Sequence, residues 1–331
     1  MSQGKYGLMV HYLPNPKGNT EEEKWEDFNR TVNNFDLERF MSYIDECDPA
    51  WLQFTIGQNY GYYLGHNEYI ESITKYHTSE RDLVHDIAKE MKKRGKRFTC
   101  YIPGEAKYNF EIHPQMYELF RWDNNDPKRV EFFKAWYELL KAYSLKFGED
   151  CDGWWIDGCY DFYTNGFWDW SVWAEALRSG NPNSALAFSD GSFCIDSFVN
   201  ISDENDFFPG EVTALQQGQI RTDPCIYGLK GFSEEGFAPS KYGVKLFKPT
   251  EKYIDNSLLQ ALVPFDTLWC LDFNDEAPWI EYPAEDLIKL VKDFNAVGGA
   301  VTLNAPIVTS DGSIPEKSLE KLIKVKKAIR G

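Results

Sequence analysis

Short apolar runs alternate with longer amphipathic stretches almost from one end of this chain to the other, and nothing else in the sequence restricts the fold as tightly. Consecutive parallel strands need a crossover connection, normally a helix, so this alternation is the mark of βαβ units. Lys5 to Leu13 is a strand, Phe35 to Asp48 carries Leu37, Phe40, Met41 and Ile44 at helical spacing, and Trp51 to Ile56 is a second strand. A helix is expected from Ser79, with Ser79 and Asp82 placed as a capping box, through Leu83, Ile87 and Met91 to a stop at Gly95. Arg97 to Ile102 follows as a strand closed by Pro103-Gly104, and Asp126 to Phe147 is a long helix feeding the strand that ends at Asp157. Ser184 to Phe188, Asp266 to Leu271 and Ala300 to Leu303 are further strands, with helices from Pro283 to Asn295 and from Pro315 to Ile329. The segment 192–250 is irregular and rich in acidic and aromatic residues. The expectation is an α/β fold, a TIM-like (β/α)8 barrel in a single domain over 1–331, with its active-site loops mainly in 158–265.

A chain of 331 residues with 43% hydrophobic content suits one such barrel. Its net charge of -17 argues against nucleic acid and anionic membranes as partners, since a phosphate-binding surface needs clustered Lys and Arg. No apolar run has membrane-span length, and the first strand starts at Lys5, which leaves no room for a leader and makes the cytoplasm the expected compartment. The seven Cys are odd in number and lack a C-x-x-C pair, which disfavours a disulfide framework and a zinc ribbon alike. Aromatic residues make up 16% of the chain; such rings either fill a core or stack on sugar C–H faces.

In a barrel, polar residues at the C-terminal ends of the strands converge on one mouth whatever the reaction. Here they are His11, Gln58 and Asn59, Tyr101 and Glu105, Asp157, Ser189 and Asp190, Asp272, and Asn304. None of the five His falls into H-x-H or H-x-x-x-H spacing, so no metal is expected; His77, His85 and His113 read as helix or loop surface. A G-x-S-x-G elbow and a phosphate-cradling glycine loop are both absent from the sequence, and no cofactor is expected. What is left is carboxylate chemistry, in which one carboxylate attacks an anomeric carbon and a second carboxyl protonates the leaving oxygen. Asp157 ends the apolar run Gly153-Trp154-Trp155-Ile156, where a strand-end Asp either caps the next turn or acts chemically. Candidates for the acid are Asp203, Glu204, Asp206, Glu211, Glu234 and Glu235. Glu211 leads them because it follows Phe207-Phe208-Pro209-Gly210, and apolar neighbours raise a carboxyl pKa.

Several stretches together resemble the family 29 glycoside hydrolases, the retaining α-L-fucosidases. Lys5-Tyr6-Gly7-Leu8-Met9-Val10-His11-Tyr12 looks like that family's K-F-G-x-F-x-H-W entry strand, and Arg81-Asp82-Leu83-Val84 matches its R-D-L-V helix. Trp155-Ile156-Asp157-Gly158 resembles its W-F-D-G, and Asp206 to Glu211 resembles D-[YF]-x-T-P-E, with Gly210 where Pro is usual. Gly298-Gly299-Ala300-Val301-Thr302-Leu303-Asn304-Ala305-Pro306 and Asp311-Gly312-Ser313-Ile314-Pro315 are similar to G-G-N-L-L-L-N-x-x-P and D-G-x-I-P.

The resemblance implies a retaining exo-acting glycosidase of α-L-fucosidase type, with Asp157 as nucleophile, Glu211 as acid/base, and His11, Gln58, Asn59, Tyr101 and Trp155 around the sugar. It covers nearly the whole chain and leaves no room for the β-sandwich that often follows the barrel. Two departures stand out. Gln58-Asn59 replaces the family's His-His pair, and Ser189-Asp190-Gly191-Ser192 stands where an Arg is common. Amides bind hydroxyls but do not change charge near neutral pH, so the sugar is the open term, and a carbohydrate-binding barrel without catalysis is the competing reading. The oligomeric state is not written in the sequence.

Overall fold

A computed structural model describes residues 1–58, 61–104, 118–159, 166, 168–189, 200–211, 232–237, 246–266 and 282–331, with 232–237, 246 and 247 described by their backbone. In chain order the elements are β1 (Tyr6–Val10), α1 (Glu21–Asn33), α2 (Leu37–Cys47), β2 (Trp51–Thr55), α3 (Glu68–Ile73), α4 (Leu83–Lys93), β3 (Arg97–Pro103), α5 (Val130–Phe147), β4 (Gly153–Asp157), α6 (Trp170–Arg178) and β5 (Ala185–Phe188). They continue as β6 (Phe232–Phe237), β7 (Leu246–Pro249), β8 (Tyr253–Ile254), β9 (Ser257–Leu258), β10 (Gln260–Pro264), α7 (Ala284–Ala296), β11 (Ala300–Ala305) and α8 (Glu316–Arg330). One seven-stranded sheet has the order β10, β11, β1, β2, β3, β4, β5, and β6–β7 and β8–β9 are small antiparallel pairs. Parallel strands in near-sequential order with helices between them are the α/β, TIM-like (β/α)8 fold expected from the alternation.

The chain divides into two compact units. The first comprises Met1–Tyr12, Asp36–Gln53 and Gly191–Gly331. In it β11 pairs in parallel with β1, Tyr6 opposite Val301, and with β10, Gln260 opposite Ala300. A segment ahead of β10 behaves as a further parallel strand. Leu258 N–H donates to Asp206 O (2.9 Å), Phe208 N–H to Leu258 O (3.0 Å) and Leu262 N–H to Gly210 O (2.7 Å), with bridges Phe207–Leu258 and Glu211–Leu262. Gly7 is needed on β1 because a Cβ there would stand 2.1 Å from the Trp51 indole, whose N–H donates to Thr302 Oγ1 at 3.0 Å. α2 starts where the Asp36 carboxylate accepts the Arg39 N–H, and it buries Phe40, Met41, Ile44 and Cys47.

The second unit, Leu13–Phe35 and Phe54–Asp190, holds β3, β4 and β5 in parallel register, with Tyr101 opposite Trp155 and Pro103 opposite Asp157. α5 packs on α6 and buries Phe132, Phe133, Trp136, Leu139, Leu140 and Tyr143. The buried indoles find acceptors: Trp136 donates to Pro103 O (2.9 Å) and Trp173 to Phe133 O (3.1 Å). Trp136, Trp154, Trp155 and Trp173 are fully buried, so much of the aromatic content belongs to the core.

Several sequence expectations need correction. β10, at Gln260–Pro264, was not among the expected strands; of the strand expected from Asp266 to Leu271, Asp266 stands at φ 61° and 267–271 lie outside the described residues. Ser79 and Asp82 form no capping box: Ser79 Oγ donates to Arg81 O, while the Asp82 carboxylate takes the His66 N–H and the Lys146 ammonium. The helix expected from Asp126 begins at Val130, because the Asp126 carboxylate caps a turn by accepting from Lys128 N (2.9 Å) and Val130 N (2.9 Å). α1 was not anticipated, although Thr20 and Glu23 make the reciprocal capping box that its start shows. His77 is buried, with Nδ1 2.9 Å from Gly61 O; His85 is half-buried with Nε2 3.2 Å from Asp150, and His113 lies outside the described residues.

Candidate active site

In the second unit the described residues gather around Asp157. Side chains two apart on a strand share a face, so Asp157 follows Trp155 on the same side of β4, and the register sets Tyr101 of β3 beside Trp155. The two rings stack at 5.1 Å between centroids and 19° between planes. The Tyr101 hydroxyl thereby reaches one step along the sheet and donates to Asp157 Oδ2. Gln58, three residues past β2, donates its amide Nε2–H to the Tyr101 oxygen and also hydrogen-bonds the Asp157 carboxylate.

The chain then turns at Gly158, whose φ of 70° suits glycine, and its N–H folds back to donate to Asp157 Oδ1 at 2.8 Å. Burial pushes the Asp157 carboxyl above the ordinary carboxylate range, opposed by the Tyr101, Gly158 and Gln58 hydrogen bonds. Asp157 is half-buried, whereas Tyr101 and Trp155 are 0% and 1% exposed. The arrangement holds an accepting carboxylate rigidly at a strand end, which is what a nucleophile requires.

In the first unit, His11 is buried just past β1 with Nδ1 3.4 Å from Asn304 Oδ1, and Asn304 sits near the end of β11. Burial lowers the His11 pKa to about 3, so the imidazole is neutral across the working range and acts as a hydrogen-bonding group. Glu211 is half-buried at the end of the segment paired with β10, while Asp203 and Asp206 are exposed and Glu204 is half-buried. Gly210 has φ 64°, and a Cβ there would stand 1.9 Å from Gln260 O. Proline at 210, as in the resembling family, would require φ near ‑65°, so the backbone leading into Glu211 takes its own course.

Asn59, Glu105, Asp190, Asp272 and Gly191-Ser192 lie outside the described residues, as do the side chains of Glu234 and Glu235. The described residues contain no group of three or more His, Cys, Asp or Glu placed to hold a metal, and no helix among them is long and apolar enough to cross a membrane. What sequence reasoning missed is the three-way bonding of Gln58, Tyr101 and Asp157. Three separate strand ends supply it, and only the register shows that they touch.

No family model and no curated protein matches the chain. Among solved structures it is similar to the endo-fucoidan hydrolase MfFcnA4 from glycoside hydrolase family 107, at TM-score 0.64 and 14% identity over 96% of this chain. This chain spans about half of that protein, 52% of its length. A second family 107 endo-fucoidan hydrolase, P5AFcnA, matches at TM-score 0.64 and 14% identity over 97% of this chain and 90% of its own. The α-L-fucosidase AlfC from Lactobacillus casei, solved with its α-L-fucose product, matches at TM-score 0.60 and 17% identity over 98% and 95%. The chain therefore has the fold carried by these fucose-active glycoside hydrolases.

Proposed function

We propose that this chain is a retaining glycoside hydrolase of α-L-fucosidase type that removes a terminal α-L-fucosyl or closely related sugar. Asp157 attacks the anomeric carbon and the glycosidic C–O bond breaks, the leaving oxygen taking a proton from Glu211. Glu211 then takes a proton from water as it opens the glycosyl–Asp157 ester, which returns both carboxyl groups to their starting states. His11, Gln58, Asn59, Tyr101 and Trp155 are the residues proposed to surround or support the sugar, and the reaction needs no cofactor.

The observation that carries the reading is the Asp157 carboxylate, half-buried at a strand end and held by three donors from Tyr101, Gln58 and Gly158. Its fold is also that of proteins described as hydrolysing fucoidan and α-L-fucosides.

The test is a panel of nitrophenyl glycosides, α-L-fucoside and the α- and β-galactosides first, run on wild type and Asp157→Asn. The reading expects turnover of one α-linked member and its loss by roughly a thousandfold or more in the variant. Wild-type rates in Asp157→Asn would remove Asp157 from the role, and sugar binding by calorimetry with no hydrolysis across the panel would favour the non-catalytic barrel.

A further inference from the structure

The contacts of Gln58 point away from a simple sugar contact. A tyrosine hydroxyl has a single proton, and when it donates to a carboxylate its oxygen is left to accept. The Gln58 amide has two N–H groups, one directed at the Tyr101 oxygen and the other available to Asp157. Filling the Tyr101 oxygen with a donor leaves the hydroxyl proton no better acceptor than Asp157 Oδ2. We propose that Gln58 and Tyr101 form a positioning relay, in which Gln58 fixes the direction of the Tyr101 O–H and Tyr101 holds Asp157 ionised and aimed. The inference rests on Asp157 being the nucleophile.

The chemistry at position 58 explains why an amide serves here. A neutral imidazole, the group the resembling family carries at this place, has one N–H and cannot donate to both partners at once. An imidazolium could, but it loses its second proton near neutral pH. Glutamine supplies both donors at every pH. The relay also acts at the ester stage: Tyr101 O–H and Gly158 N–H are placed to stabilise the carboxylate that leaves as the C–O bond to the sugar breaks. Both steps then draw on the same donors. Among the described residues, Asp157 is acted on by burial and by hydrogen bonds from Tyr101, Gly158 N–H and Gln58, and Cys159 follows on its own loop, its Sγ 3.9 Å from Asp157 O.

Tyr101→Phe removes one oxygen, Gln58→Met keeps length without donors, and Gln58→Glu keeps shape while reversing the relay, because a carboxylate draws the Tyr101 proton to itself. Difference infrared titration reads the Asp157 carboxyl directly, with Asp157→Asn as the blank that identifies its band. The expected result is an upward displacement of the Asp157 midpoint in all three variants, largest in Gln58→Glu. On the aryl glycoside that wild type cleaves, kcat falls about tenfold to a hundredfold with KM within about threefold, the range a hydrogen bond to a charged group supports. An unmoved midpoint in Tyr101→Phe and Gln58→Met overturns the relay, as does a rise in KM at constant kcat, which marks Gln58 as a sugar contact only. The infrared arm does not depend on turnover, so the relay can fail while Asp157 remains the nucleophile, and Asp157→Asn activity tests the latter separately.

Discussion

At the residue scale, the most consequential fact is that Asp157 is ionised at a cost. Its folded pKa is raised by burial, so ionising it costs more in the folded chain than in the unfolded one. A group with a raised folded pKa contributes stability below its unfolded value, about 3.9, and loses that contribution as pH rises through the folded value. Asp157→Asn is therefore expected to stabilise the protein at pH 7, the gain vanishing below about pH 3.9, as read by urea unfolding at the two pH values. An equal effect at both would contradict the burial argument. His11 works in the opposite sense, because its pKa lowered to about 3 means that the unfolded chain binds a proton the folded one refuses. Stability falls as pH drops from about 6.5 toward 3, by up to about 1.4 kcal/mol per unit, and His11→Gln should flatten that slope. An unchanged slope would show that His11 is not the buried neutral group described.

At the element scale, the 206–211 segment is the decisive piece, since it carries Glu211 to the end of a strand-like run beside β10. Gly210 controls its path. Alanine there meets both a left-handed φ and a backbone oxygen at 1.9 Å, so Gly210→Ala should cost about 3 kcal/mol or more by urea unfolding, and a loss below about 1 kcal/mol would contradict the geometry. The sequence made some elements plain and concealed others for physical reasons. α2, α4 and β4 were legible because their apolar residues follow one period cleanly. β10 was not expected because the apolar run Gln260 to Pro264 follows an irregular stretch, and its pairing with β11 is what marks it as a strand. α1 lies in a polar stretch with few apolar residues, Trp25, Phe28 and Val32, yet its Thr20 and Glu23 cap was readable. At the site, Asp157 announced itself by its position after Trp154-Trp155-Ile156. The Tyr101 and Gln58 bonds to it did not, because register across strands is a property of the sheet and not of any segment.

At the scale of the whole molecule, the order of strands and helices survives in solved structures with 14–17% identity, which is why topology could be read and substrate could not. Strand order depends on apolar periodicity, which tolerates wholesale substitution; recognition depends on a few side chains past the strand ends, where Gln58-Asn59 differ from the resembling family. The central claim, a covalent intermediate on Asp157, has a direct measurement. A fucosyl fluoride fluorinated beside the anomeric carbon forms the ester quickly, through its good leaving group, and hydrolyses slowly because the fluorine disfavours an oxocarbenium-like transition state. Mass spectrometry of the intact protein and then of its peptides locates the label. The account predicts one adduct per chain, on Asp157, absent from Asp157→Asn; a label on another carboxylate, or none while an aryl fucoside is still turned over with retained configuration, would contradict it.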